Sequence, residues 1–189
     1  MRIIAGRFRG HPLSAPRGSA TRPTSDRLRE SLFDILTHKP PGEVVVEGSR
    51  VLDLYAGTGA LGLEALSRGA RFALFVEEAA AARAAIRENI EALGLTGETK
   101  TFRRDARSMG AMPPSAGGPF DLVFCDPPYG KGLAEPALES AAAGGWLAPH
   151  ALCIVEAGAD ETPGLSERFA LLGRRIYGDT AVHFFQLAG

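Results

Sequence analysis

Two short stretches of this chain carry residues that ordinary folding does not call for. "FCDPPYG", residues 124–130, ends an apolar run on Asp126, two prolines and Tyr129. "LDLYAGTGALG", residues 52–62, sets Gly57, Gly59 and Gly62 in GxGxxG spacing, and Glu77 follows twenty residues after Gly57. The first stretch suits a planar amine. Such a nitrogen is a poor nucleophile because its lone pair is delocalised, so it has to be held. Asp126 can accept one N–H and the Pro127 carbonyl a second, which aims the lone pair along a line of attack. Pro127 and Pro128 fix φ and restrict the residue before each, keeping the acceptors in place, and Tyr129 can stack on the ring that bears the amine. No strong base is required, since the alkylated amine sheds its proton readily.

The glycine stretch points to a nucleoside ligand. Gly57 and Gly59 let the backbone approach it, and Glu77 can accept from both ribose hydroxyls. Asp53, inside the preceding strand, needs a cationic or strongly donating partner to offset its burial, and a bound amino-acid ammonium group would supply one. An adenosine joined to an amino acid, S-adenosylmethionine, satisfies all three requirements. Asp105 is an acceptor for the adenine amino group, or alternatively a helix cap ahead of "ARSM". A plain strand-to-helix turn would explain the glycines alone. A nicotinamide oxidoreductase would leave Asp53 and "DPPY" without roles.

The elements that must position these residues alternate from Arg50 onward. "RVLDLY", "RFALFVE", "TKTFRR", "FDLVFCD" and "ALCIVEA" read as strands. "GALGLEALSRGA", the alanine-rich "AAAARAAIRENIEALGL", stopped by Gly94 or Gly97, and a segment near residues 132–143 read as helices. "FALLGRRIYGDTAVHFFQLAG" reads as two antiparallel strands around a "YGDT" turn. The pattern predicts an α/β fold with a doubly wound, mostly parallel sheet and a C-terminal antiparallel hairpin. Residues 158–167, "GADETPGLSE", read as a loop with no assigned function.

Ahead of this lies a basic arm. The chain has 189 residues and a net charge of −1, yet residues 1–30 hold Arg2, Arg7, Arg9, Arg17, Arg22, Arg27 and Arg29 against only Asp26 and Glu30. A basic arm on an acidic body implies a polyanion partner, since guanidinium groups pair with phosphates and counterion release drives association. The alternative is a solvated tail. The arm is expected to be extended or hairpin-like. "TSDRLRESLFDIL" then predicts a helix capped by Thr24 or Ser25, with Leu28, Leu32, Ile35 and Leu36 on one face, which "HKPPGE" ends. Residues 1–40 are therefore read as arm and anchoring helix, and 41–189 as the catalytic domain. Cys125 and Cys153 read as buried thiols, and the scattered histidines predict no metal. No apolar run reaches the length of a membrane span, and the start lacks a secretory signal, so a cytoplasmic protein is expected. Nothing in the pattern calls for an oligomer, so a monomer is expected.

"VLDLYAGTGALGLEALSRGA" together with "DLVFCDPPYGKG" resembles the class I, Rossmann-like, S-adenosylmethionine-dependent methyltransferases. The arm "IIAGRFRGHPLSAP" and "RPTSDRLRESLFDIL" resemble the RsmD family, the 16S ribosomal RNA guanine-N2 methyltransferases, and the similarity runs from Arg2 to Gln186. The resemblance implies a seven-stranded sheet. It implies a methyl donor held by Asp53, Tyr55, Ala56, Gly57, Thr58, Gly59, Gly62, Glu77, Asp105 and Ala106, and an amine held by Asp126, Pro127, Pro128 and Tyr129. It further implies a flipped guanine of 16S rRNA in the 30S subunit or its assembly intermediate as substrate, gripped by Arg7, Arg9, Arg17, Arg22, Arg27 and Lys131. One departure is visible. The family continues after the second strand with acid, apolar residue, aspartate, whereas this chain reads "VEEAAAA", keeping Glu77 but offering no carboxylate after Glu78. Competing readings are methylation of another planar amine, in DNA adenine or cytosine or a protein glutamine, and a non-catalytic RNA-binding assembly factor. A chain of this length has no room for a separate DNA-recognition domain, a glutamine substrate gives no reason for a basic arm, and a scaffold has no use for an amine clamp.

Overall fold

A computed structural model describes residues 1–16 and 26–189. The first helix, α1 (Asp26–His38), buries Leu28, Leu32, Phe33 and Leu36, and Ile35 packs partly against the same core. Thr24 and Ser25, the expected caps, and Arg17 and Arg22 lie outside the described residues. The alternating run follows as β1 (Arg50–Leu54), α2 (Ala60–Ser67), β2 (Phe72–Val76), α3 (Ala80–Leu93), β3 (Thr99–Phe102), β4 (Phe120–Cys125), α4 (Ala134–Ala143) and β5 (Leu147–Gly158). It ends in β6 (Phe169–Tyr177) and β7 (Thr180–Leu187). Gly94, in the left-handed conformation at φ 68°, terminates α3 and so settles the choice between the two candidate glycines.

All seven strands form one sheet, in the order β3-β2-β1-β4-β5-β7-β6. The five strands from β3 to β5 run parallel, while β7 is antiparallel to both β5 and β6. The order reverses between β1 and β4, which is where an open parallel sheet leaves a crevice at the carboxyl ends of its strands. One face of the sheet is covered by α1, α2 and α3, with Phe33, Leu63, Ile86 and Phe124 in its core. The other is covered by α4, with Leu138, Trp146 and Phe185. β5 begins at Leu147, earlier than its apolar run implies, because Leu147 pairs with Phe120 before a register shift. Polar His150 interrupts the pattern at φ 62°. Cys125 and Cys153 are buried free thiols. Among the described residues no helix is long and apolar enough to cross a membrane.

The arm is docked on this body. An antiparallel bridge joins Arg2 to Pro12, and Ile3 and Leu13 enter the core. The amides of Ile4 and Ala5 donate to the two carboxylate oxygens of buried Glu64 at 2.8 and 3.0 Å, and the Phe8 amide donates to Ser67 Oγ at 3.0 Å. Arg29, fully buried, donates to the Arg2 carbonyl and to Asp26, and lies 3.8 Å from Glu64, which also accepts from Arg68 at 2.8 Å. Arg29 therefore belongs to the interior, and its charge is spent on holding the arm, not on a partner.

Candidate active site

The glycine turn leaves β1 at Tyr55, which sits at φ 58°. A non-glycine residue there is strained by about 1 kcal/mol, the kind of cost that persists where the surroundings hold it. The Tyr55 hydroxyl donates to the Leu133 carbonyl at 3.2 Å, tying the turn after β1 to the segment after "DPPY". Gly59, at φ 77°, opens α2. Gly62 lets that helix sit on the sheet, since a Cβ there would lie 2.5 Å from Phe75 Cε1. The third glycine thus serves packing, and the first two shape the turn.

Glu77, at the end of β2, reaches across to this turn. Its Oε2 accepts from the Gly57 amide at 2.9 Å and its Oε1 from the Ala79 amide at 2.8 Å. The position after Glu78, where the family's aspartate is missing, therefore still contributes, through a backbone amide that orients Glu77. Asp53 is buried, and its Oδ2 accepts from the Gly62 amide at 3.0 Å. Burial pushes its pKa up to about 8, against the opposing pull of that amide, with the nearby Glu77 charge adding to the rise. A helix amide is thus one donor to Asp53, and burial favours its neutral form. Asp105 caps the turn at Ala106–Ser108 through the Arg107 amide at 2.9 Å, and its carboxylate also pairs with the Arg107 guanidinium. The capping role expected as an alternative is present, and those bonds hold its pKa below the usual carboxylate range. Ala56 and Ala106 are buried, Thr58 is partly exposed, and the Thr58 carbonyl accepts from Asn89 on α3, which also bonds Ser14 of the arm.

The second half of the site follows β4, the direct neighbour of β1. The pair Leu54 and Cys125 are in register, and the Asp126 amide donates to the Leu54 carbonyl at 3.4 Å. Asp126 is partly exposed, Pro127 buried and Pro128 exposed. Tyr129 is fixed by its hydroxyl, which donates to Glu156 Oε1 at 2.5 Å and lies 3.0 Å from Thr180 Oγ1. Burial and the adjacent Glu156 carboxylate raise its pKa, so it remains a donor. Sequence reasoning missed these partners. The acid ending the apolar run "ALCIVEA" was the available signal. A cleft of about 220 Å³ opens beside this loop, between Pro127–Tyr129 on one side and Glu156–Pro163 on the other.

Four of the residues expected to grip RNA are among the described residues. Arg9, Arg27 and Lys131 are exposed. Arg7 is paired with Glu98, and its guanidinium lies 4.8 Å from the Phe8 ring centroid. The glycine turn presents backbone and a held carboxylate at the carboxyl end of the sheet, beside the switch point.

The family described as "Conserved hypothetical protein 95" matches residues 1–186. The chain is 35% identical over 187 residues to the ribosomal RNA small subunit methyltransferase D of Escherichia coli, covering 98% of this chain and 89% of that protein. It is 39% identical over 130 residues to the putative rRNA methyltransferase YlbH of Bacillus subtilis, covering 68% and 67%. Among solved structures, a putative methyltransferase, yhhF, from Escherichia coli superposes with a TM-score of 0.82 at 34% identity, covering 100% of this chain and 98% of that one. With a family match over almost its whole length, and the glycine turn and the "DPPY" loop following adjacent strands of one sheet, the chain belongs to the RsmD family of methyltransferases.

Proposed function

We propose that this protein transfers a methyl group from S-adenosylmethionine to the exocyclic N2 amine of a guanine in 16S rRNA, acting as a cytoplasmic monomer on the 30S subunit or its assembly intermediate. The observation that carries the reading is the adjacency of the two motifs. β1 and β4 are paired in register, so the nucleoside turn and "DPPY" share one sheet edge, with a cleft beside the second. The names of the relatives, which specify ribosomal RNA of the small subunit, favour the substrate class.

The donor, when bound, supplies an electrophilic methyl on a sulfonium. Gly57 and Gly59 admit the nucleoside to the backbone, and Glu77 accepts from its ribose hydroxyls, its carboxylate already oriented by two amides. Asp126 and the Pro127 carbonyl take the two N–H bonds of the target amine, leaving its lone pair directed toward the turn. Tyr129, held at its hydroxyl, offers a fixed ring against the base. The amine proton leaves to water after transfer, so no basic side chain is needed.

The test is transfer of labelled methyl from S-adenosylmethionine to unmodified 30S subunits, free 16S rRNA and DNA, with digestion to nucleosides. Label is expected in N2-methylguanosine from 30S subunits. Label in adenine or cytosine instead would replace the guanine assignment.

A further inference from the structure

Residues 158–167 have no assigned function in the sequence, yet Glu161, Thr162 and Pro163 among them line the far wall of the cleft beside "DPPY", next to Glu156 and Ala157. The wall is stitched to the clamp by carboxylates that accept backbone amides. Glu161 Oε1 accepts from the Gly130 amide at 2.6 Å, and its Oε2 from the Gly158 amide at 2.7 Å. Farther out, Glu135 takes the Gly164 amide at 3.1 Å and Glu139 the Ser166 amide at 2.8 Å. The base of the segment is fixed to the β6–β7 turn, with the Ala159 amide on the Asp179 carbonyl at 2.9 Å and Arg174 on the Ala159 carbonyl.

The clamp is consequently tied to this wall at two consecutive residues. Tyr129 is held through its hydroxyl by Glu156, and Gly130 through its amide by Glu161. Gly130 sits at φ 73°, a left-handed state that glycine adopts without the steric cost a Cβ would add. Bonds from amides to a carboxylate are charge-assisted, roughly twice as strong as neutral ones, and a single side chain supplies both here.

We propose that Glu161 is a positioning residue for methyl transfer. By holding Gly130 and Gly158 on its two oxygens, it sets the distance between the walls of the target cleft and the placement of the Pro127 carbonyl and Tyr129 ring against the incoming amine. This rests on the reading of Asp126–Tyr129 as the amine clamp. Glu161 acts through the backbone of the clamp and takes no part in the chemistry itself. Glu161→Gln keeps the shape and one acceptor but turns an NH2 toward the other amide, so one bond is lost. Glu161→Ala loses both.

The experiment measures kcat and KM for methyl transfer by the full chain, with S-adenosylmethionine affinity by calorimetry and Tm by thermal melting. The acceptor is whichever of 30S subunits, free 16S rRNA or DNA the wild type labels. Misplacement of a reacting group by about 1 Å costs on the order of a hundredfold in rate. Glu161→Ala is therefore expected to lower kcat by about tenfold to a hundredfold, with Glu161→Gln intermediate and donor affinity and Tm close to wild type. Unchanged turnover in Glu161→Ala would overturn the proposal. So would a loss of turnover matched by losses of donor affinity and Tm, which marks a merely structural staple. If Glu161→Ala does not fold, Glu161→Gln is judged by the same criteria. Label on a base other than guanine would overturn the guanine assignment and leave the kcat ratio to decide the role of Glu161. The absence of label in all three acceptors would overturn both.

Discussion

Asp53 lies in β1 and Asp126 directly follows the neighbouring β4, and their surroundings differ. Asp53, sealed beneath α2, has a pKa pushed up to about 8 by burial, whereas an unfolded aspartate titrates near 4. The folded state therefore binds this proton more tightly. The stability it contributes is complete below about pH 4 and is lost as pH rises through about 8. Asp53→Asn, which keeps an acceptor for the Gly62 amide, is expected to remove a few kcal/mol of that pH dependence. Urea unfolding across pH 4–8 measures it, and an identical pH profile in the variant would reject the assignment. Asp126 is partly exposed just past the strand end, where the proposed amine clamp places it against the target nitrogen. Asp126→Ala is expected to reduce transfer by at least about a hundredfold with donor affinity near wild type. Calorimetry with single-turnover assays separates the two, and lost affinity with preserved turnover would contradict the amine clamp.

Among the elements, periodicity and punctuation made the strands and helices legible. "RVLDLY" and "FDLVFCD" became β1 and β4, Gly94 ended α3, and "YGDT" turned β6 into β7. The motif residues stood out because they interrupt strand patterns. What was illegible depends on contacts between distant segments. The Glu64 clasp joins residues sixty apart, and the Glu161 staple spans thirty-one, so no local window contains either pair. A hint of the first existed, as Glu64 is the sole charge in the otherwise apolar "ALGLEALS" of α2, every residue of which is buried. Glu64→Ala strips a partner from buried Arg29 and acceptors from two arm amides. It is expected to destabilise the protein by about 3–5 kcal/mol, as removing one member of a buried ion pair does. Chemical denaturation reads this directly, and a change below about 1 kcal/mol, the worth of a surface pair, would mean that the clasp adds little.

For the whole molecule, the arm brings cationic side chains to the body while its own backbone is bound to α2 and α3. Arg9 and Arg27 are exposed, whereas Arg7 is engaged with Glu98 and Arg29 is interior. Replacing Arg9 and Arg27 together by alanine is expected to weaken RNA association and to flatten its log–log salt dependence by about 0.7–0.9 per lost phosphate contact. Filter binding over a salt series measures the slope, and an unchanged slope would remove these two from the RNA interface. The clasp on Glu64 also orders events during synthesis. The Ile4 amide needs an acceptor made sixty residues later, a wait of roughly 3–12 s at typical elongation rates. Ile4 and Ala5 thus cannot dock as they are made, and wait for their acceptor until α2 has emerged.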